Sequence, residues 1–386
     1  MLSSYGEKYQ IPHDSQEGFR AERSTSRQLQ LLIAALEDAK FTNQNIYLLY
    51  IDFKNAFGSL DHARLLAIMK DLGYPLDAVT LIGNIYSHST TIFTGEHFGK
   101  TKPIPIQRGT IQGDTLSPYL FLIFLEPLLR WLQRGKNGYT FGTSKLTISS
   151  AAYADDLAAI TNNLQSLQTQ LNKLDKFCEW AGMDLGVQKC AITGCPNKSK
   201  LNPEKFKTQI QNHNISYRNQ PIPVLHQNEP YVYLGIQLVP SLKWKLQTHI
   251  TTNKIIDQCK QLAKCPATIK QKISMVDTVI RAGIAYSFYA VPYSLPTIKK
   301  LDKKIIGIQK TICGLPKCTA NVIIQLPHEL FGLEAFSLKN AYLRCIGEQL
   351  RNALNDQGRL GIIYKGLIHH ISQIWRRGRN PKNHTI

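Results

Sequence analysis

Two apolar segments that each end on aspartate constrain this chain more than any other feature. Asn45 to Phe53 reads as a strand whose run Ile46-Tyr-Leu-Leu-Tyr-Ile51 passes straight into Asp52. Leu146 to Ala154 reads as a second strand running into Asp155-Asp156. A carboxylate at the end of a buried strand is costly unless a cation or a basic group satisfies it. Consecutive strand residues point to opposite faces, but a tight turn at Asp155-Asp156 can rotate either carboxylate. If the two strands are neighbours, Asp52 and Asp155 converge on one pocket that would hold two Mg²⁺ ions about 4 Å apart. The plainer reading of the same residues is an acidic turn and a surface aspartate.

The remaining pattern mixes helices with short strands. Helices are expected over Ser24–Lys40, over His62–Leu72 with Gly73 and Pro75 as the stop, and over Pro118–Gln133 with proline at its start. Leu164–Ala181 places Leu164, Leu167, Leu171, Leu174 and Phe177 on one stripe. Val187–Thr193 and Tyr231–Leu238 read as short strands, 196–230 as a loop or insertion, and most of the chain beyond Leu242 as helix.

Charge adds a partner class. The 386 residues carry a net charge of +19 with 43% hydrophobic residues, which describes a folded body rather than a disordered basic tail. Residues 241–310 hold a net +10 and residues 351–386 a net +6, while the first 200 are nearly neutral. A basic clamp for a polyanion downstream of a catalytic body accounts for this distribution, and a solvated helical surface is the blander account. The most apolar stretch, Tyr119–Leu132, is broken by Glu126 and Arg130, and the first 20 residues show no secretory pattern, so neither secretion nor a membrane span is expected. Eight irregularly spaced cysteines fit free thiols in a reducing compartment.

Further blocks then fall in a recognisable order. They are Gln16-Glu-Gly-Phe-Arg20…Arg23-Ser-Thr25, Asp52-Phe-Lys-Asn-Ala-Phe57, Arg108-Gly-Thr-Ile-Gln-Gly113…Leu-Ser-Pro118, Tyr153-Ala-Asp-Asp156, Gly182-Met-Asp-Leu-Gly-Val-Gln-Lys189 and Tyr233-Leu-Gly235. Together they resemble a reverse transcriptase, most closely the non-LTR (LINE-like) retrotransposon enzymes, over roughly residues 14 to 240. The resemblance implies an α+β right-hand polymerase with partial fingers, a palm on an antiparallel sheet and a mainly helical thumb. It divides the chain into a fingers remnant at 1–45, a palm at 46–240 with a fingers insertion at about 60–110, a basic helical thumb at 241–325 and a helical basic extension at 326–386.

The same resemblance assigns roles. Asp52 and Asp155 are the metal-bridging aspartates, Asp156 the supporting third, and the Phe53 carbonyl a further metal ligand. Phe57 is the gate whose ring excludes a ribose 2′-OH. Gln112 and Gly113 pack against the incoming nucleotide and template base, Arg20 and Arg23 contribute phosphate contact, and Lys189 stands near the triphosphate. Tyr233, Leu234 and Gly235 form the primer grip. The implied activity is RNA-directed DNA synthesis using two Mg²⁺ ions, with Mn²⁺ as a substitute, an RNA template, a DNA primer and dNTPs. The implied compartment is nuclear or cytoplasmic.

The pattern also departs from the family. Only 13 residues precede Asp14, whereas the family's fingers begin further upstream, so an N-terminally truncated reverse transcriptase is expected. No endonuclease or ribonuclease H block is recognisable. Gly58, Gly186 and Cys190 stand where the family often has Asp, Asn and Thr; Gly186 is expected to remove a contact that braces Lys189. Two other readings share these features: a catalytically inactive nucleic-acid-binding remnant, and an RNA-directed RNA polymerase or intron maturase-like protein. Phe57 argues against ribonucleotide use.

Overall fold

The computed structural model describes residues 2–376 except 98, 112, 198–201, 331, 333, 335 and 336. The chain divides into two compact units, one ending at Glu229 and the other beginning at Pro230.

The first unit is built on strand β1 (Ile46–Ile51), whose six residues are all buried. Two helices precede it, α1 (Leu2–Lys8) and α2 (Thr25–Thr42), and two follow, α3 (His62–Asp71) and α4 (Leu76–Ser87). Next come α5 (Ser117–Gln133), β2 (Ser150–Tyr153), β3 (Asp156–Thr161), α6 (Leu164–Ala181) and β4 (Ala191–Cys195). The four strands form an antiparallel sheet in the order β4-β1-β3-β2. Tyr47, Leu49 and Ile51 of β1 share a core with α5 residues such as Phe121 and Phe124 and α6 residues such as Leu167 and Leu171. The alternate residues Ile46, Leu48 and Tyr50 are just as buried. They point to the opposite face, and α2 also packs on this strand. Burial on both faces explains why β1 is continuously apolar instead of alternating.

Helix ends follow local chemistry. The Asn163 side chain accepts the Ser166 amide at 2.8 Å to start α6, and Gly182 ends it with φ +66°. Glu126 and Arg130, the charges that interrupt the apolar face of α5, bind each other at 2.7 Å. They also bind the His13 amide and the Ile11 carbonyl, tying the N-terminal segment to α5. Burial pushes the Glu126 carboxyl above its ordinary range despite Arg130.

Several expectations change. Residues 156–161 form a strand that pairs with β1 directly, and Leu76–Ser87 forms a helix; neither element is among the strands and helices expected from the sequence. The strand expected at Val187–Thr193 begins at Ala191, because Lys189 and Cys190 hydrogen-bond back to Gly186 in a turn. The expected loop 196–230 contains the helix α7 (Pro203–Asn212) and a small hairpin pairing Ser216–Tyr217 with Gln220–Pro221.

The second unit opens with a hairpin of β5 (Tyr231–Tyr233) and β6 (Ile236–Leu238). A single strand was expected here, but Leu234 and Gly235 both have positive φ, +47° and +75°, and reverse the chain. The hairpin belongs to this unit, not to the one holding the four-stranded sheet. Helices follow: α8 (Lys245–Lys264), α9 (Ile269–Met275), α10 (Ala282–Phe288), α11 (Leu295–Ile312), α12 (Asn321–Gln325), α13 (Leu338–Asn355) and α14 (Arg359–Arg376). Helix α11 buries Ile298, Leu301, Ile305 and Ile306 and exposes Lys299, Lys300, Lys303 and Lys304, a division that helical spacing imposes. Mixed α+β structure with an antiparallel sheet and a mostly helical C-terminal part therefore agrees with expectation. Among the described residues no helix is long and apolar enough to cross a membrane.

Candidate active site

Strand register brings the aspartates together. β1 pairs with β3 so that Ile51 lies opposite Leu157, and Asp52 and Asp156 are the next residues along the two strands. Tyr153 pairs with Asp156 across the β2–β3 hairpin, leaving Ala154 and Asp155 as its turn. Burial raises the Asp155 carboxyl, and the charge of Asp52 raises it further. Asp156 is pushed up to about 6 by burial and by the charges of Asp155 and Asp52. Three carboxyls thus repel one another at one end of the sheet.

The segment 182–190 flanks Asp52. Phe53 bridges Leu185, with the Lys54 amide donating to the Asp184 carbonyl and the Gly186 amide to the Asp52 carbonyl, both at 2.8 Å. Neither bond uses the Phe53 carbonyl. The Asp52 amide donates to Cys190 Sγ at 3.4 Å. Lys189 Nζ lies 3.8 Å from Asp52 Oδ2, with Lys189 77% and Asp52 34% exposed. A Cβ on Gly186 would stand 2.4 Å from the same Oδ2. Gly186 therefore makes room for the Asp52 carboxylate itself, a role beyond the expected loss of a brace for Lys189.

Phe57 opens a short 3-10 turn and stacks on Phe121 with ring centroids 4.4 Å apart. The glycine-rich stretch lies against this turn. The Gly109 amide donates to the Leu60 carbonyl at 2.7 Å and the Thr110 amide to the Phe57 carbonyl at 3.0 Å. Gly109, at φ +87°, comes so close that a Cβ would meet the Gly58 Cα at 2.9 Å. Asp61 caps α3 through the Arg64 amide and binds the guanidinium groups of Arg64 and Arg108. Burial acts upward on its carboxyl, but these partners hold it below the ordinary range. Gly113 has φ +86°; Gln112 lies outside the described residues.

The two N-terminal arginines sit among carboxylates. Arg20 binds both oxygens of Glu7, at 2.7 and 2.9 Å, and the carbonyls of His13 and Gln16, and its side chain is 6% exposed. Arg23 binds Asp14 and Glu17, each at 2.8 Å. In the second unit the Leu234 carbonyl at the tip of the β5–β6 hairpin accepts a hydrogen bond from Tyr286, while Tyr233 is buried.

One residue that drew no assignment from the sequence is central here. Gln16 Oε1 accepts the amides of Ala154 and Gly18, both at 2.8 Å, and its Nε2 donates to the Ala154 carbonyl at 3.3 Å. Its place in the block Gln16-Glu-Gly-Phe-Arg20 is the available signal.

Among the described residues no group of three His, Cys, Asp or Glu side chains forms a metal-holding set. Mg²⁺ commonly takes one or two carboxylates and completes its shell with water and substrate phosphates. The oxygen donors of Asp52, Asp155 and the Phe53 carbonyl fit that habit, and a cation would offset the burial and the repulsion that raise the Asp155 and Asp156 carboxyls.

Residues 2–238 match the family model described as reverse transcriptase (RNA-dependent DNA polymerase). The chain is 26% identical over 296 residues to the retrovirus-related Pol polyprotein from type-2 retrotransposable element R2DM of Drosophila melanogaster, covering 77% of this chain and 27% of that protein. It is 25% identical over 319 residues to the Pol polyprotein from type-1 retrotransposable element R2 of Nasonia vitripennis, covering 81% and 28%. The chain thus spans little more than a quarter of the length of these relatives. Among solved structures, apo telomerase from Candida tropicalis aligns over 95% of this chain and 58% of its own, with 14% identity and a TM-score of 0.43.

Proposed function

The chain belongs to the reverse transcriptase family, with Pol polyproteins of non-LTR R2-type elements among its homologues, and from that premise we propose that it is an RNA-directed DNA polymerase. It adds deoxynucleotides to a DNA primer on an RNA template. The observation that carries this reading is the β1–β3 register, which sets Asp52 beside Asp156 and the Asp155 turn at one end of a buried sheet.

Asp52 and Asp155, with the Phe53 carbonyl, are the groups that would hold Mg²⁺ or Mn²⁺, and Asp156 adds negative charge beside them. When bound, the ions supply activation of the primer hydroxyl and neutralisation of charge on the transferring phosphate. Lys189, exposed and 3.8 Å from Asp52, can turn from that carboxylate toward an incoming triphosphate and offset its charge. Phe57, backed by Phe121, presents a ring that leaves no room for a 2′-OH. The loop through Gly113, with its positive φ, would pack against the incoming nucleotide and template base. Arg20 is committed to Glu7 and two carbonyls, so its contribution is to hold the N-terminal segment. A phosphate reaching Arg23 must displace Asp14 or Glu17. Leu234 and Gly235 at the hairpin tip would grip the primer, with the buried Tyr233 supporting them, and the exposed lysines of α11 serve the duplex backbone. Base pairing carries the sequence information, so these contacts need only follow the backbone.

Primer extension tests the reading. Purified chain with an RNA template, DNA primer, Mg²⁺ and dNTPs should extend the primer, and Asp155→Asn should lower the rate by about 10²-fold or more. Binding of primer–template without extension in the unaltered chain would replace the polymerase with a nucleic-acid-binding remnant.

A further inference from the structure

The hairpin that carries Asp155 ends its ladder at the Tyr153–Asp156 pair, so the two turn residues fall outside it. Ala154 has φ +55°, a conformation that L residues with a Cβ avoid unless their surroundings impose it. What surrounds it is the segment 15–18. The Ala152 amide donates to the Ser15 carbonyl at 2.8 Å and the Glu17 amide to the Ala152 carbonyl at 2.9 Å, laying this segment parallel to β2. Gly18 follows, and a Cβ there would stand 2.5 Å from the Ala154 nitrogen.

Between these contacts sits Gln16, 1% exposed, whose amide serves both main-chain groups of Ala154. An uncharged carboxamide can accept from the N–H and donate to the C=O of one residue at once; a carboxylate can only accept, and a thioether does neither usefully. Gln16 is itself braced, because Arg20 binds its carbonyl at 3.1 Å while paired with Glu7.

We propose that Gln16 is a positioning residue for the polymerase: by clamping Ala154 it fixes the turn and so the direction in which Asp155 presents its carboxylate. This rests on the reading of Asp155 as a catalytic aspartate. It also gives the half-buried Arg20–Glu7 pair a purpose, as the support of the clamp.

The test compares the full chain with Gln16→Met and Gln16→Glu by two readouts. Hydrogen–deuterium exchange is followed in the peptide covering 152–157 and, as reference, in β1. Steady-state primer extension provides kcat and KM for dNTP. Q16M should exchange at the turn about tenfold faster with β1 unchanged, and should lower kcat by about 10- to 100-fold with KM within about twofold. Q16E keeps the acceptor for both amides and should fall between Q16M and the unaltered chain in both readouts. Normal turn exchange and normal kcat in Q16M would overturn the proposal. A rise in exchange across the whole sheet, with Q16E no better than Q16M, would also overturn it by making the residue merely structural. If Q16M does not fold, Q16E alone decides: a turn-specific rise with reduced kcat supports the clamp, and unaltered behaviour removes it. Failure of the unaltered chain to extend would remove the polymerase reading and with it the catalytic role of the clamp, whatever the exchange shows.

Discussion

Asp156 shows what assembling this site does to stability. Its carboxyl is pushed up to about 6 by burial and by Asp155 and Asp52, whereas the ordinary value is 3.8. A folded-state pKa above the unfolded one means that protonation favours the fold. That contribution is complete below about pH 3.8 and is lost as pH rises through about 6. Asp156→Asn should therefore melt slightly higher than the unaltered chain at pH 7.5, the gap kept small because solvent screens this exposed carboxyl. The gap should close as pH falls from 6 to 4, as circular dichroism melts across that range would show. Mg²⁺ should raise the melting temperature of the unaltered chain more than that of the variant. Phe57 makes a separate prediction: Phe57→Ala should increase ribonucleotide incorporation relative to deoxynucleotide by about 10- to 200-fold, measured as a ratio of kcat/KM values. That aspartates stand at strand ends was legible because an apolar strand running into a carboxylate is a local signal, but the two strands expected to be neighbours are separated by β3. The partners of Arg20 and Arg23 were not legible: a guanidinium within a family block does not announce that Glu7, Asp14 and Glu17 bind it.

At the scale of elements, the helices were read well where their ends carry chemistry. The expected Leu164–Ala181 is the observed α6, because Asn163 and Gly182 cap it and its leucine stripe faces the core. Replacing Asn163 by Ala should destabilise the first unit by about 1 kcal/mol, a drop of roughly 2–4 °C that a thermal melt would detect; an unchanged melting temperature would mean that the cap contributes nothing. Strands were harder. Asp156–Thr161 went unassigned although it is the direct neighbour of β1, because its run Leu157-Ala-Ala-Ile160 is short and rich in alanine and gains its burial only from pairing. Tyr231–Leu238 is apolar but for Gln237, yet it folds back at Leu234-Gly235. A leucine at positive φ announces nothing in the sequence, and only the following glycine marks the turn.

For the whole molecule the relevant quantity is the net charge of +19, most of it in segments of the second unit. If those lysines follow a nucleic-acid backbone, affinity for a labelled RNA–DNA duplex should fall steeply with salt. The loss should be about 10³-fold or more between 50 and 200 mM, as six or more phosphate contacts require. Fluorescence anisotropy of the full chain at several salt concentrations measures the slope, and a nearly flat one would exclude a backbone clamp.

The sequence by itself determined where carboxylates meet apolar strands, which helices cap themselves, where positive charge accumulates and which family the ordered blocks belong to. These are properties of residues within a turn or two of one another, or of counts. The tertiary structure alone decided that Gln16 holds a turn 138 residues away, that Cys190 and Gly186 adjoin Asp52, that Arg20 is paired with Glu7, and that the Tyr231–Leu238 hairpin belongs to the second unit. A buried polar group must find a partner, but which partner depends on the strand register and segment packing that bring distant residues together, and no local pattern records that choice.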